Sequence, residues 1–183
     1  LWDIQSADSH PLGDFQAKSI PVLDLHELAA GKLAALLARG QARDLFDCHR
    51  ILNMIDLERD RLRIAFVVYG GMNRKDWRTV SIEDVEFDPA ELTRLLIPTL
   101  DTRAIQEQSP AKFGARLVRE CREGLSMVLP FNDAERKFLD LLLDKGEIDS
   151  TILTTDETLQ KRIQQQPLLE WKALNVRQYK GLS

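Results

Sequence analysis

Residues 27–48 read ELAAGKLAALLARGQARDLFDC, and how this stretch folds decides the architecture. Its spacing predicts two short helices that fold back on each other. Asp24 is a good N-cap, with Glu27 three residues later as its capping-box partner. Leu25, Leu28, Gly31 or Lys32, Ala35 and Leu36 recur at helical spacing. Gly40 suits the left-handed position that ends a helix. Gln41 or Ala42 opens the second helix, which sets Leu45, Cys48, Ile51, Leu52 and Ile55 on one face. Lys32 emerges among Ala29, Ala30, Leu33, Ala34 and Leu36, and Arg43 and Asp44 immediately precede the apolar pair Leu45 and Phe46. Charges of both signs beside an apolar stripe suggest side chains held near a groove rather than spread through water.

Outward from the hairpin, residues 1–23 hold Pro11, Gly13 and Pro21 without a helical period, and they read as one or two short strands and a loop. Asp56 is the expected cap of a third helix through Ile64, Phe66 and Val67, stopped by Gly70 and Gly71. Residues 72–88 read as a polar loop around Trp77. Pro89 fits the first position of a helix running to Pro98. Ser109 and Pro110 start a long helix through Phe113, Leu117, Cys121 and Leu125. Asn132 caps another, ended by Gly146, and Asp149 and Thr155 cap two short ones. Pro167 breaks the second of these, leaving Leu168–Ala173 as a final turn. The expected fold class is mostly α: a helical bundle of seven or eight helices with a short extended N-terminal segment.

At 183 residues the chain can bury one substantial core, and 44% apolar with 30% charged residues is the composition of a globular protein. No apolar run approaches the ~20 residues of a membrane span, so no membrane partner is expected. Cys48 and Cys121 lack metal or disulfide spacing and sit in helical sequence, which fits reduced thiols in a cytoplasmic compartment. A net charge of −4 offers nucleic acid no general attraction, so any RNA contact needs a local basic patch.

The segment KLAALLARGQARDLFD, residues 32–47, resembles the lysine-to-aspartate motif of the AbiEii-type nucleotidyltransferase toxins, a family of abortive-infection and type IV toxin–antitoxin proteins. The tail from Leu129 to Gly181 looks like the C-terminal helical part of the same family. The resemblance implies a nucleotidyltransferase core joined to a helical part, with an early Gly-Ser or Gly-Thr motif and an Asp-x-Asp pair that binds magnesium. Neither motif occurs before Lys32, where Asp3, Asp8 and Asp14 stand singly, and the chain begins at Leu1 without Met. The expectation is therefore a C-terminal piece: 1–23 the exit segment of an N-terminal core, and 24–183 the helical domain. Mg2+ would belong to the complete enzyme, its ligands lying outside this chain.

By the same resemblance Lys32 and Asp47 are the catalytic candidates, and Arg39, Arg43 and Asp44 the substrate-binding ones. An ammonium at Lys32 would face the triphosphate, where nucleotidyl transfer develops negative charge. The plainer reading is a lysine stem that crosses the hairpin with its head in solvent. Asp47 would accept a hydrogen bond from the attacking hydroxyl, or orient Lys32 or Arg43. Its plainer reading is an i, i+4 partner of Arg43, stabilising by only a few tenths of a kcal/mol. Arg39 also suits the negative end of the first helix. Lys112, Arg116, Arg119 and Arg122, interrupted by Glu120 and Glu123, read first as a solvated face and second as an RNA contact. Trp171, Lys172, Arg177, Tyr179 and Lys180 mix aromatics and cations as base-stacking surfaces do, though a groove-filling Trp171 is the simpler account. His26-Glu27 lacks the second histidine of a zinc-protease helix, and His49 reads as packing.

Two functional readings result. In one, the chain is the helical region of a toxin that transfers a nucleotide from a nucleoside triphosphate to an acceptor, RNA being expected. In the other, it is a noncatalytic helical module that docks an antitoxin or another protein.

Overall fold

The computed structural model describes residues 1–101, 105 and 108–182. Its mostly helical class agrees with the sequence pattern. An N-terminal hairpin pairs β1 (Gln5–Ala7) with β2 (Ile20–Val22) in antiparallel register, Ser6 opposite Pro21. Eight helices follow among the described residues: α1 (Leu25–Arg39), α2 (Ala42–Met54), α3 (Arg59–Gly71), α4 (Pro89–Glu91), α5 (Pro110–Leu125), α6 (Asp133–Asp140), α7 (Glu157–Gln164) and α8 (Pro167–Lys180). A π-turn, Leu92–Leu96, extends α4, and another, Leu141–Lys145, extends α6.

α1 packs against both α2 and α3, and α2 lies along α5. The turn between α1 and α2 is the expected one. Gly40 takes φ +63 and its N–H reaches the Leu36 carbonyl at 2.8 Å, a conformation that only glycine adopts cheaply. The buried stripe of α1 differs from the expected one. Ala29, Ala30, Leu33, Leu36 and Leu37 are inside, whereas Leu25 and Leu28 face out, because α1 is clasped on two sides by α2 and α3.

The Asp24 cap forms, its Oδ1 accepting from the His26 N–H at 2.9 Å. The capping box does not. Glu27 turns inward instead, accepting from the Leu1 amino group at 2.8 Å, Trp2 N at 3.1 Å and the Tyr69 hydroxyl at 3.0 Å. Around it, the Glu58 N–H donates to His26 Nε2 at 3.0 Å, so the ring proton sits on Nδ1 and faces Asp24 at 3.0 Å. Arg61 bonds Asp24 at 3.0 Å and stacks 4.5 Å from the Trp2 ring. This cluster fastens the N-terminal segment to α1 and α3, and it gives Trp2 a partner that no sequence pattern indicates.

Three boundaries move. α3 starts at Arg59 after Glu58 rather than from Asp56, α7 is capped by Asp156 rather than Thr155, and α8 runs fourteen residues from Pro167 rather than one turn. Pro167 opens α8 at its first position as much as it closes α7. The 72–88 segment is not simply polar. Trp77 is fully buried in a 3-10 turn, its ring 5.4 Å from that of Phe66. A Cβ at Gly70 would stand inside the Trp77 indole, so the glycine at the end of α3 is there for close approach. Trp171 fills no groove; it is 56% exposed on α8.

Candidate functional site

The hairpin brings its charges together as cross-helix pairs. Lys32 Nζ donates to Asp47 Oδ2 at 2.7 Å, with the two side chains 40% and 30% exposed. One turn earlier on α2, Asp44 receives Arg39 in bidentate fashion at 2.6 and 2.9 Å. The Asp44 carboxylate is 4% exposed while the Arg39 side chain is 57% exposed. Its hydrogen bonds and charge hold the Arg39 guanidinium protonated above its ordinary range. The arrangement follows from the turn. Asp44 and Asp47 share one face of α2 because they are three apart, and Gly40 folds that face back onto α1.

The two pairs differ in what they leave available. Both oxygens of buried Asp44 are committed to Arg39, so this pair closes the hairpin. The Lys32–Asp47 pair is half open to solvent, and Asp47 has an oxygen uncommitted among the described residues. Arg43 points the other way from Asp44. It lines a cavity of about 540 Å³ together with Phe46, Asp47, Glu91, Leu96 and Thr99. Asp47 therefore stands between the Lys32 ammonium and this cavity.

Sequence reasoning finds Lys32, Asp47 and Arg43 but not the far wall. The Gln41 side chain makes no cap, and Glu91 Oε1 instead accepts from the Ala42 N–H at 3.2 Å across 49 positions of sequence. No local pattern announces such a bond. Phe46 was findable, since it lies one turn from Arg43 on the same face of α2.

The other candidates resolve into packing. His49 Nε2 meets Glu120 Oε2 at 2.6 Å, tying α2 to α5. Burial tends to raise the Glu120 carboxyl, but His49 and the arginines of α5 outweigh it and hold the group below its usual range. Cys48 and Cys121 are free and buried, and burial pushes the Cys121 thiol up to about 12. Arg119 is taken by Glu120 and Glu123, and Arg122 by Glu83. Lys172 donates to the Asn73 carbonyl at 2.7 Å, and burial pulls its ammonium below its ordinary value. Arg177 reaches the Gly146 carbonyl at 2.6 Å and Lys180 reaches Asp144 at 3.1 Å, while Tyr179 stands 91% exposed.

The magnesium ion implied by the resemblance does not fit this donor set. Among the described residues no group of three or more His, Cys, Asp or Glu side chains is placed to hold a metal, and Asp44 and Asp47 each already face a cation. Nor is any helix among them long and apolar enough to cross a membrane.

The paired lysine and aspartate stand beside a cavity whose charged lining is one cation, Arg43, and two carboxylates, Asp47 and Glu91. The model of the nucleotidyl transferase AbiEii toxin family, type IV toxin–antitoxin system, matches residues 1–123. The chain belongs to that family. The match takes in the N-terminal hairpin, the charged α1–α2 hairpin and most of α5, and stops short of the tail from Leu129. No curated protein and no solved structure matches the chain.

Proposed function

We propose that this chain is the helical part of a nucleotidyltransferase toxin and that it contributes Lys32, Asp47 and Arg43 to transfer of a nucleotide from a nucleoside triphosphate to an RNA acceptor. The family membership supports the reaction class. The single observation that carries the assignment within this chain is the half-exposed Lys32–Asp47 pair at the edge of the Arg43 cavity.

In this reading the acceptor hydroxyl oxygen bonds to the α-phosphorus while the bond to pyrophosphate breaks. Asp47 accepts the hydrogen bond, and then the proton, of the attacking hydroxyl. Lys32 offsets the negative charge gathering on the phosphate oxygens, a preorganised contribution worth a factor of roughly a hundred or more. Arg43 holds phosphate at the cavity mouth, and Arg39, fixed by Asp44, backs the hairpin with positive charge. The metal-binding carboxylates of the family lie outside this chain, so the 183-residue piece by itself transfers nothing.

The test is incorporation of labelled nucleoside triphosphate into bulk RNA by the full-length gene product. Lys32→Ala should reduce transfer at least about a hundredfold while a thermal melt shows an unchanged fold. Full activity in Lys32→Ala, or robust transfer by the 183-residue piece, defeats the assignment.

A second reading has one observation in its favour. Leu168, Trp171 and Leu174 form an exposed apolar stripe on α8, such as a docked antitoxin would cover. A full-length product without transferase activity would favour it.

A further inference from the structure

We propose that the outward face of α8, with a hollow toward each end of it, is a docking surface for an acidic amphipathic helix of a partner protein. The proposal rests on the docking reading only in that something covers the exposed stripe. It adds the chemistry of the partner, and it stands whether or not the chain takes part in nucleotide transfer.

Leu168, Trp171, Asn175 and Tyr179 recur at one-turn spacing along α8, with Leu174 beside them. The leucines and both rings are exposed. At the helix start, Leu168 edges a hollow of about 430 Å³ lined by Gly31, Ala35 and Ala38 of α1 and by Tyr69 and Met72 of α3. Its one charged lining residue is Arg39, which Asp44 holds. Toward the helix end, Asn175 and Tyr179 edge a second hollow of about 570 Å³, whose charged lining is Arg74, Arg78, Lys172 and Lys180 against Asp76 and Asp144.

The charges of the second hollow do not cancel. Arg78 meets Asp76 at 2.7 Å, Asp140 at 3.0 Å and Asp144 at 2.7 Å, and Lys180 meets Asp144 at 3.1 Å. Each of these three carboxylates is thus held. Arg74 pairs with no carboxylate among the described residues. Lys172 spends one of its three N–H groups on the Asn73 carbonyl and makes no ion pair with Asp76. Burial, outweighing the attraction of Asp76, pulls the Lys172 ammonium below its ordinary value, so an added carboxylate would favour its charged form. The loop that presents Arg74 is fixed. Asn73 Oδ1 accepts from the Lys75 N–H at 3.2 Å, and Asp76 caps the 3-10 turn that buries Trp77. Unpaired cations by themselves mark nothing, since Lys18 and Arg94 are unpaired too among the described residues. Arg74 and Lys172 differ in bordering an apolar stripe.

This pattern selects the partner. The backbone groups of α8 bond within the helix, so a strand cannot add to it, whereas a helix can lie along its side chains. From Leu168 to Asn175 is two turns, or about 10 Å, which is the reach of positions i and i+7 on one partner helix. An apolar residue then fills the first hollow and acidic ones meet Arg74 and Lys172. A single-stranded nucleic acid fits less well. Trp171 and Tyr179 stand about 12 Å apart along the helix and form no continuous stacking platform, and its phosphates would cross an aliphatic hollow whose one cation is already paired.

The experiment is fluorescence anisotropy of the 183-residue chain with a labelled helical peptide of about 18 residues, long enough to span α8, carrying leucines on one face and glutamates beside them. A peptide with lysine for each glutamate and a single-stranded RNA of similar charge serve as comparisons. The glutamate peptide should bind at least about tenfold more tightly than the lysine peptide. Arg74→Glu and Trp171→Ser, both at exposed positions, should each weaken it at least about tenfold while thermal melts stay unchanged. Arg74→Glu should also narrow the preference between the two peptides. Equal binding of the two peptides, or an affinity unchanged in either variant, overturns the proposal. Tighter binding of the RNA replaces it with a nucleic-acid surface, and a dimer in sedimentation that Trp171→Ser dissolves replaces it with self-association. Lys32→Ala should bind the glutamate peptide unchanged while losing transfer in the full-length product, so docking and catalysis fail separately.

Discussion

Replacing Asp47 by Asn separates a site from a scaffold, because it keeps the shape and removes the charge. At 2.7 Å two unit charges in bulk water attract by roughly 1.5 kcal/mol. The net worth of this pair is smaller. With side chains 40% and 30% exposed, both ends are solvated, salt screens them, and fixing the lysine stem costs entropy. Exposed pairs of this kind contribute about 1 kcal/mol or less. Lys32 left alone in Asp47→Asn remains hydrated, so no buried uncompensated charge arises. With an m-value of about 2 kcal/mol/M, the urea midpoint should shift by no more than about 0.5 M.

Activity should respond on a different scale. A carboxylate that receives the acceptor proton has no substitute in an amide, and general-base catalysis is worth roughly a hundredfold to ten-thousandfold. The assay is a double-mutant cycle. Asp47→Asn, Lys32→Ala and the double variant are measured by urea unfolding of this chain and by transfer in the full-length product. A site gives a stability coupling below about 1 kcal/mol with activity lost in every variant. A destabilisation above about 2 kcal/mol with activity falling only as the folded fraction falls would make the pair a scaffold clasp. Full activity in Asp47→Asn would refute the catalytic argument outright.

Two further outcomes test the frame around the site. Arg63 and Glu135 are paired at 2.5 Å with side chains only 12% and 6% exposed, and Arg63 also donates to the Met127 and Pro130 carbonyls at 3.0 Å each. Arg63→Met leaves the buried Glu135 carboxylate without its cation, with only the Asn132 N–H still donating to it, so calorimetry or urea unfolding should show a loss of about 3–5 kcal/mol; a loss under about 1 kcal/mol would mean that the pair does not join α3 to α6. For Asp24, burial raises the carboxyl, but the His26 amide, the His26 ring and Arg61 together hold it below the usual carboxylate range. A depressed carboxyl gives stability that is present above the unfolded value of about 3.9 and lost as the pH falls through the folded one. Asp24→Asn should therefore flatten the acid limb of the stability curve below about pH 4, and an unchanged acid limb would remove Asp24 from the account.

Legibility from sequence tracks the range of each interaction. The Asp24 cap, the Gly40 turn, Pro89 and Pro110 at helix starts and the Asn132 capping box all act within one helical turn, and each stands where its residue type predicts. The Lys32–Asp47 pair spans fifteen residues but is still legible, because a tight turn of known geometry converts helical spacing directly into position. The failures have the opposite character. Glu27 has a local partner available and takes Tyr69, Trp2 and Leu1 instead, since a buried carboxylate gains more from three donors than from one frayed helix end. Trp77 reads as a loop residue until Phe66 and Gly70 of another element build its slot. Glu91 closes both the α2 terminus and the cavity from 49 positions away. The candidate site is split along the same line. Its cation and carboxylate are encoded within the α1–α2 hairpin. Its cavity is not, because Glu91, Leu96 and Thr99 reach it only after the whole bundle has packed. A loss of bundle packing should therefore erase ligand binding while leaving the Lys32–Asp47 pair able to form within its hairpin.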